Sequence, residues 1–361
     1  MQKTSGYLEI HQKGFGFLRN IENNFHADAN DCFVPHNIIR EFGLRNGNYL
    51  EGQRDEIAQN DTIKFQLSKI NKINGLSPAK FQKITNWKRQ VSINPFERIK
   101  LTLDEYDILG KALDIIVPHG KGQRGLIISP PKAGKTTILK HIAKAVETNH
   151  PEIKVIVLLV DERPEEVTDF RRALKKANVL SSSADESVSS HLRMTDMAMN
   201  TAICMAETGD DVIVLIDSLT RMGRAFNKET NSHGRTLSGG LAANALDLPR
   251  KFFGAARKIE HGGSLTVVAS ILVDTGSRMD EIIFQEFKGT GNMDLRLSQK
   301  CAERRVFPAF NINESGTRKE ELIVTEEEYR ELLKLRRFFG QMQEIEAMQY
   351  FLDYLHNNKN L

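Results

Sequence analysis

The chain has 361 residues, 40% of them hydrophobic and 27% charged, with a formal net charge of +3, which is ordinary for a globular protein of two or three domains. Its three cysteines, Cys32, Cys204 and Cys301, are widely spaced without a metal-ligand pattern and are predicted to be reduced thiols. The longest apolar runs are strand-sized and the first residues show no signal pattern, which excludes a membrane span and predicts a cytoplasmic protein.

Residues 1–72 are predicted to form a small β-barrel of the OB type. Gly, Asn and Asp clusters divide this part into short alternations of apolar and polar residues, which is the pattern of short strands. Five strands with this punctuation fit a small closed barrel. The predicted strands are Tyr7–Ile10, Phe15–Leu18, Cys32–Val34, Tyr49–Ile57 and Ile63–Ile70, with one helix at Asn37–Phe42.

The segment Gly14–Arg19, with the sequence GFGFLR, predicts a binding face for single-stranded nucleic acid. It places Phe15 and Phe17 on one strand face, where a stacked base contributes about 1–3 kcal/mol, and Arg19 within reach of a phosphate. Phe33 on a nearby strand is a further candidate. Spacing alone leaves open that both phenylalanines belong to the barrel core, but the pattern resembles the RNA-binding strand of cold-shock domains, which favours exposure.

Residues 73–98 are predicted to be a basic linker because their hydrophobic periodicity is weak. Residues 64–90 hold seven Lys or Arg and no Asp or Glu. This excess of positive charge suits a polyanion such as a nucleic acid, and it equally suits a solvated linker, so charge alone leaves both interpretations open.

Residues 99–361 alternate between strand and helix patterns, which predicts an α/β domain with a parallel, doubly wound sheet. The predicted strands are Leu126–Ser129, Val155–Val160, Val179–Ser183, Val212–Ile216 and Leu265–Val273. The predicted helices follow Thr137 and cover Glu165–Ala177, Thr195–Glu207, part of Gly240–Arg257, Glu326–Phe339 and Gln343–Leu355.

A phosphate-binding loop is predicted at Ser129–Thr137, SPPKAGKTT, between an apolar strand and a helix. In such a loop, backbone N–H groups and the helix N-terminus face a polyphosphate, Lys135 reaches the β- and γ-phosphates, and Thr136 holds Mg²⁺. The general pattern has glycine where this chain has Ser129. A simple helix cap at Gly134 is the alternative.

Two apolar strands end in acidic residues. Val212–Ile216 runs into Asp217, the position where P-loop ATPases hold Mg²⁺ through its water shell, and Val155–Val160 runs into Asp161 and Glu162. We expect the second strand to lie beside the P-loop strand, which would let Glu162 polarise the attacking water and leave Asp161 as a capping residue. Each acid alone could instead cap a helix.

Three arginines in late loops are candidates for contacts with phosphate. Arg318, in Ser315–Lys319, could reach the nucleotide of a neighbouring subunit and stabilise charge on its γ-phosphate. Arg235 and Arg278 each lie among small residues in polar loops after two strands and could grip a nucleic-acid backbone. Flexible solvent loops are the alternative for the last two.

Seven long motifs together closely resemble the bacterial transcription termination factor Rho family, and the resemblance extends from about Tyr7 to Met348. Besides Gly14–Arg19, the motifs are GKGQRG at 120–125, PPKAGKT at 130–136, DERPEEVT at 161–168, FFGAAR at 252–257, GGSLT at 262–266, FKGTGNM at 287–293 and SGTRKEEL at 315–322. The Ser129-Pro-Pro sequence belongs to this family's variant of the loop.

The resemblance implies a ring-shaped homohexamer with RecA-like ATPase domains, each preceded by a cold-shock-like OB barrel. Such a ring hydrolyses ATP with Mg²⁺ between subunits, translocates 5′→3′ along single-stranded, pyrimidine-rich RNA as an RNA–DNA helicase, and terminates transcription with RNA polymerase and elongation factors as partners. No membrane is involved.

The resemblance also assigns site residues. The ATP-binding residues are Gly120, Lys121, Gly122, Gln123, Arg124, Gly125, Lys132, Ala133, Gly134, Lys135, Thr136, Thr137 and Arg163. The catalytic residues are Glu162, Lys135 and Arg318, and Thr136 and Asp217 hold the metal. The primary RNA site comprises Gly14, Phe15, Gly16, Phe17, Leu18, Arg19, Asp31, Cys32, Phe33, Thr62, Ile63 and Lys64. Arg235 and Arg278 form the secondary RNA site.

The sequence departs from the family in three places. It begins close to the barrel, so we expect either that this lineage lacks the small helical subdomain that usually precedes the barrel or that the sequence is shortened. Arg278 stands where the family usually has lysine, and Gln299 stands where a basic residue is expected. Two other functions stay open beside the helicase: a nucleotide-regulated RNA-binding protein without motor activity, and an ATPase of the same sheet class that acts on protein or ion transport.

Overall fold

The computed structural model of the protein describes residues 2–59, 62–183, 186–230, 240–242 and 244–358. Within these ranges the strands are β1 (Gln2–Ile10), β2 (Gly16–Arg19), β3 (Cys32–Val34), β4 (Tyr49–Gln59), β5 (Thr62–Ile73), β6 (Ser92–Ile93), β7 (Arg98–Ile99), β8 (His119–Gly120), β9 (Arg124–Ser129), β10 (Lys154–Glu162), β11 (Asn178–Ser183), β12 (Asp211–Asp217), β13 (Arg257–Ile259), β14 (Ser264–Leu272), β15 (Met293–Arg296) and β16 (Gly316–Thr317).

The helices in the same ranges are α1 (His36–Phe42), α2 (Pro78–Phe81), α3 (Ile108–Ile116), α4 (Lys135–Asn149), α5 (Pro164–Ala173), α6 (Val188–Glu207), α7 (Leu219–Thr230), α8 (Asp247–Phe253), α9 (Arg278–Phe287), α10 (Gln299–Glu303), α11 (Glu326–Phe339) and α12 (Glu344–Asn357). None of these described helices has the length and apolar character that a membrane crossing requires.

The first five strands close into a barrel in the order β1-β2-β3-β5-β4, which confirms the predicted OB-type fold. Successive side chains of a strand point to opposite faces, so β2 and β3 divide between the core and the surface. Leu18 lies opposite Cys32 and both are buried, whereas Phe17 lies opposite Phe33 and both are half-buried.

The segment predicted as the linker, residues 73–98, contacts both domains. Phe81 of α2 is buried with the barrel core. Trp87 is buried in the α/β domain, where its Nε1 donates a hydrogen bond to the carbonyl of Ala255 at 3.1 Å. Short strand β6 pairs with β13 at the edge of the large sheet. The segment therefore joins the two domains through buried contacts on each side.

The α/β domain is built on a nine-stranded sheet in the order β11-β10-β12-β14-β9-β15-β16, in which β13 also pairs with β14 and β6 pairs with β13. The strands from β11 to β15 in this order run parallel. Alternate residues of β10 pack into different clusters, with Ile156 and Leu158 in one and Val155 and Val157 in the other. Burial on both faces explains the uninterrupted apolar runs of the sequence.

The expected place of β10 beside the P-loop strand is wrong, because β14 and β12 lie between β10 and β9. The chain leaves β9 through α4, crosses over the intervening strands and enters β10 on the far side. Helix α4 contacts both β10 and β12 on this path. The start of α4 is consequently close to the ends of β12 and β10, although their strands are not neighbours of β9.

Several helix boundaries differ from the prediction. Helix α11 covers Glu326–Phe339 as predicted and begins with a capping box between Thr325 and Glu328. Helix α6 begins at Val188, earlier than predicted, with the Ser187 side chain as its N-cap. Helices α7 and α9 were not predicted, although α7 buries Leu219 and Met222, three residues apart.

The barrel is docked along α6. The backbone of Gly47 lies so close to α6 that a Cβ atom there would be 2.4 Å from the backbone nitrogen of Thr201. Arg45 forms an ion pair with Glu207 near the C-terminal end of the helix. The side-chain amide of Asn74 also donates to the carbonyl of Cys204 at 3.2 Å. These contacts fix the barrel against the α/β domain.

Gly47→Ala should therefore destabilise the protein more than Gly43→Ala. Both glycines have a positive φ, 84° and 62°, so alanine is strained at either position, but a Cβ at Gly43 would meet no atom within 4 Å. The overlap at Gly47 should cost about 1–3 kcal/mol more. Thermal unfolding of both variants measures the difference, and equal melting temperatures would contradict the close approach.

Candidate nucleotide and nucleic-acid sites

The predicted phosphate-binding loop has a strand, a loop and a helix in the expected order. Strand β9 ends at Ser129, the chain turns through Lys132 and Gly134 at φ values of 64° and 101°, and α4 begins at Lys135. The helix thus points its free N–H groups at the end of the loop, which is the arrangement that binds phosphate.

Carboxylates from β12 and β10 meet the loop's lysine. The Nζ atom of Lys135 lies 2.6 and 2.7 Å from the two carboxylate oxygens of Asp217 and 3.9 Å from Oε2 of Glu162. Strands β10 and β12 are parallel neighbours, so their carboxyl ends bring both acids to one edge of the sheet. Asp217 is also held by the Ser270 hydroxyl, which donates to Oδ1 at 2.8 Å.

The same cluster offers oxygen ligands for a divalent cation. Oxygens of Glu162, Glu166 and Asp217 all lie within 4.8 Å of one another. The hydroxyl of Thr136 is 3.2 Å from Glu166 and 3.4 Å from Asp217. Among the described residues, Oε2 of Glu162 has no hydrogen-bond partner although it is buried. Mg²⁺ prefers such hard oxygen ligands, so the residues present fit this ion.

Glu162 has the environment expected of a general base. Its side chain is fully buried, and burial together with the nearby charge of Asp217 raises the pKa of its carboxyl, while Lys135 and Arg221 act in the opposite direction. Nη2 of Arg221 on α7 forms an ion pair with Oε1 of Glu162 at 2.9 Å, and its Nη1 donates a hydrogen bond to the carbonyl of Asp161. Arg221 therefore fixes the orientation of the carboxylate.

An apolar pocket of about 540 Å³ adjoins the loop. Its walls include Ala133, Ile138, Ile108 and Phe307, and the Phe307 side chain is 47% exposed. A flat aromatic surface beside a phosphate site suits a purine base, because aromatic rings stack in offset arrangements. The pocket is thus the natural place for the base of a nucleotide whose phosphates lie in the loop.

The structure separates the predicted ATP-binding residues into two groups. Gly120–Gly125 precedes or begins β9, whereas the loop follows its end. Arg124 and Ser129 terminate this strand, and at about 3.3 Å per residue they lie roughly 17 Å apart. Gln123 and Arg124 are instead bonded to Asn292, and Lys121 pairs with Asp211 at 2.7 Å. Within one chain these residues do not reach the loop.

Arg318 lies on the same side of the sheet as Gly120–Gly125. Its backbone nitrogen donates to the carbonyl of Asn292 at 2.8 Å, and Asn292 donates in turn to the carbonyl of Arg124 at 2.9 Å. The Arg318 side chain is exposed. Arg318 is therefore remote from the phosphate loop of its own chain, and its exposed side chain is accessible to another molecule.

Two of the other predicted phosphate-contacting arginines, Arg163 and Arg278, lie at the starts of helices. Arg163 is exposed at the N-cap position of α5, directly after Glu162. Arg278 is exposed and forms the first residue of α9, with Ser277 as the N-cap, so it belongs to a helix start and not to a loop. Arg235 lies outside the described residues, as do the side chains of Thr62 and Ile63.

The barrel presents a cluster of aromatic rings to solvent. The ring centres of Phe15, Phe17 and Phe33 are 5.5–5.8 Å apart, and the ring of His11 stacks on Phe15 at 4.8 Å. The three phenylalanine rings line a cleft of about 890 Å³ together with Arg19, Asp31 and Lys64, among others. The phenylalanines are thus available to bases, and the alternative of a core position for Phe15 and Phe17 is wrong.

Two residues of the predicted RNA site face the opposite way. Leu18 and Cys32 are only 4% and 2% exposed and pack in the barrel core, because strand alternation turns them inward. Their side chains cannot contact RNA, so their contribution is limited to the backbone. Gly14 and Gly16 flank Phe15, and Gly16 is itself buried in β2.

Four residues that the sequence reasoning did not single out belong to these sites. Arg221, Glu166 and Phe307 border the nucleotide site, and His11 extends the aromatic cluster. Arg221 follows Asp217 closely on a segment with helical spacing, so that pattern could have indicated it. The other three depend on tertiary contacts.

Two family models match the chain. Residues 4–79 match the RNA-binding domain of the Rho termination factor, and residues 110–317 match the nucleotide-binding domain of the ATP synthase alpha/beta family. The first covers the barrel and the second covers most of the α/β domain, including the phosphate loop, both acidic strand ends and the chain up to Thr317. The two matches together support an RNA-binding barrel followed in the chain by an ATP-binding domain.

Solved structures with a similar fold include an ATPase and an ATP synthase subunit. A prototypical ATPase from the type III secretion system of pathogenic bacteria is 21% identical, with a TM-score of 0.62 over 74% of this chain and 75% of that one. The ATP synthase subunit NeqB of Nanoarchaeum equitans is 15% identical, with a TM-score of 0.61 over 75% and 78%. At these identities the likeness concerns the fold alone, which is that of RecA-like ATPases.

Similar sequences over the full length are transcription termination factors Rho. The protein of Aquifex aeolicus is 46% identical over 99% of this chain and 82% of its own length. The proteins of Cereibacter sphaeroides and Escherichia coli K12 are 45% and 44% identical over 98% and 97% of this chain and 84% of theirs. This chain belongs to the Rho family of transcription termination factors.

Proposed function

We propose that the protein is an RNA-dependent ATPase and 5′→3′ RNA–DNA helicase that terminates transcription. The observation that carries the proposal is the combination, in one chain, of a P-loop with two buried carboxylates and a solvent-facing aromatic cluster on a docked barrel. The first feature suits ATP hydrolysis and the second suits single-stranded RNA. Membership of the Rho family supports their use together.

The residues of the phosphate loop would hold the nucleotide. Lys135 would move from Asp217 to the β- and γ-phosphates, and Thr136 and Asp217 would hold Mg²⁺, which neutralises charge on the phosphates. Phe307 would support the base. Glu162, kept in place by Arg221, would accept a proton from the attacking water, for which its raised pKa suits it.

The other half of the site would come from a second copy of the chain. Arg318 and Gly120–Gly125 lie near the start of β9, and the phosphate loop follows the end of the same strand. A neighbouring subunit could therefore present both to the nucleotide. A closed homohexameric ring would satisfy every such edge with one kind of contact. The match of this domain to the nucleotide-binding domain of the ATP synthase alpha/beta family supports a shared nucleotide site of this kind.

RNA would be bound at two places. The barrel would capture single-stranded, pyrimidine-rich RNA on Phe15, Phe17 and Phe33, with Lys64 near its phosphates. Arg235 and Arg278 would then grip the strand in the centre of the ring. The protein would act in the cytoplasm on nascent RNA, with RNA polymerase and its elongation factors as partners, as the family resemblance implies.

RNA should stimulate ATP turnover, and Phe17→Ala should weaken that response. Loss of one stacking ring should cost about 1–3 kcal/mol of RNA affinity. Anisotropy of a labelled oligocytidine and ATP turnover at increasing RNA concentration measure both effects, with Tyr350→Ala, an exposed aromatic outside the barrel, as the control. Turnover of the wild type that does not respond to RNA would contradict the proposed function.

Glu162→Gln should abolish turnover while ATP still binds. Removing a general base typically costs about 10²–10⁴-fold in rate. Asp161→Asn is the matched control, because Asp161 is adjacent but more exposed, and asparagine tolerates its φ of 56°. Single-turnover hydrolysis and nucleotide binding separate the two effects. If both variants lose activity equally, Glu162 has no special role.

Subunits that lack Lys135 and subunits that lack Arg318 should complement each other. Lys135→Ala and Arg318→Ala should each be nearly inactive alone, since a trans arginine typically contributes about 10³–10⁵-fold. In mixed rings, an intact loop of one subunit can face an intact Arg318 of the next. ATP turnover of the mixture should then exceed that of either variant, whereas an Arg318 that acts within its own chain would give no recovery.

A further inference from the structure

Glu9 of the barrel is shared between two arginines that belong to different domains. Its Oε2 accepts a hydrogen bond from Nε of Arg19 at 2.6 Å and another from Nη2 of Arg193 at 2.7 Å, and its Oε1 accepts from Nε of Arg193. Arg19 lies in the RNA cleft on β2, and Arg193 lies on the first half of α6. One carboxylate therefore joins the RNA site to the ATPase domain.

On the barrel side, Arg19 is already paired with two carboxylates of its own chain. Arg19 binds Glu9 through Nε and Asp31 through Nη1, and its guanidinium carbon is 5.0 Å from the ring centre of Phe17. The side chains of Arg19, Glu9 and Asp31 are 10–17% exposed, so water screens these ion pairs weakly. Although burial acts to raise it, the hydrogen bonds from Arg193 and Arg19 hold the pKa of Glu9 below its ordinary value.

On the ATPase side, a series of contacts links Arg193 to Glu162 through helices α6 and α7. Besides Glu9, Arg193 also donates to the carbonyl of Phe25, whose ring is buried in the core of the α/β domain. Helix α6 packs along α7 through a shared apolar cluster that includes Met194 and Met222. Helix α7 in turn carries Arg221, which is bonded to Glu162.

We propose that the Glu9–Arg193 ion pair couples RNA binding on the barrel to ATP hydrolysis, with Glu9 and Arg193 as positioning residues. The proposal rests on the proposed function, since it takes the ligand of Arg19 to be an RNA phosphate. A phosphate that accepts a hydrogen bond from Arg19 competes with Glu9 and Asp31 for its donors. Glu9 then keeps Arg193 as its remaining arginine partner. This changes the electrostatic environment of Arg193, and with it that of α6, the helix that carries Arg193.

The alternative is that the pair only docks the barrel. A second ion pair between the same two bodies, Arg45–Glu207, separates these possibilities, because it joins the barrel to the other end of α6 and does not touch Arg19. Glu207 is also bonded to the backbone nitrogen of Trp87 at 2.5 Å, so this pair is at least as deeply built into the interface. Arg45→Gln is thus the matched control for Arg193→Gln.

The experiment measures ATP turnover of the assembled wild type and both variants at increasing concentrations of oligocytidine, together with RNA affinity by anisotropy. For Arg193→Gln we expect unchanged turnover without RNA, RNA affinity within about threefold of wild type, and maximal stimulation reduced about fivefold or more, the size of a typical coupling between two sites. Arg45→Gln should retain the stimulation. Arg193→Lys, which keeps the charge but loses the two-pronged contact, should be intermediate.

Coupling is reciprocal, so a second measurement needs no turnover. A non-hydrolysable ATP analogue should change the oligocytidine affinity of the wild type and change it less in Arg193→Gln. The proposal is overturned if Arg193→Gln is stimulated like the wild type, if Arg45→Gln loses as much stimulation, or if Arg193→Gln also loses turnover without RNA. A wild type that RNA does not stimulate would instead refute the proposed function.

Discussion

The length of one β-strand determines how this protein can work. Strand β9 carries the phosphate loop at its end and Arg124 at its start, roughly 17 Å away. Arg318 is held near that start through Asn292. A rigid parallel sheet keeps the two ends of β9 apart, so one chain cannot bring both to one nucleotide. Under the proposed function, the second half of the hydrolytic site would come from another subunit, and assembly would be a condition of catalysis.

The sequence was informative where burial alone decides the structure. Strands β10, β12 and β14 are buried on both faces, so their apolar runs identify them and their acidic ends mark one edge of the sheet. Strand order was not available from the same pattern, because each run is compatible with any interior position. The prediction that β10 lies beside β9 was wrong for this reason. Glu162 still contacts Lys135, because the start of α4 lies near the end of β10.

The candidate sites divide in the same way. Motif spacing was enough for Lys135, Asp217, Glu162 and the aromatic segment of the barrel, because each belongs to a local strand or loop pattern. The family resemblance assigned Leu18 and Cys32 to the RNA site, but strand alternation and the pairing of β2 with β3 turn both side chains inward. Glu166 and Glu9 owe their positions in these sites to contacts between separate elements, which no local pattern records.

The docking of the barrel explains why charge matters at this interface. The close backbone approach at Gly47 and buried rings such as Phe25 hold the two domains together. These contacts share no hydrogen-bond donor with a ligand on the barrel, so they do not couple the two domains. The carboxylate of Glu9 differs, because it has a fixed number of lone pairs and two competing donors. A ligand that draws Arg19 away changes what Arg193 experiences, even if no apolar contact moves. Under the proposed coupling, the contact that RNA disturbs would lie between Arg19 of β2 and α6, the helix that packs against α7.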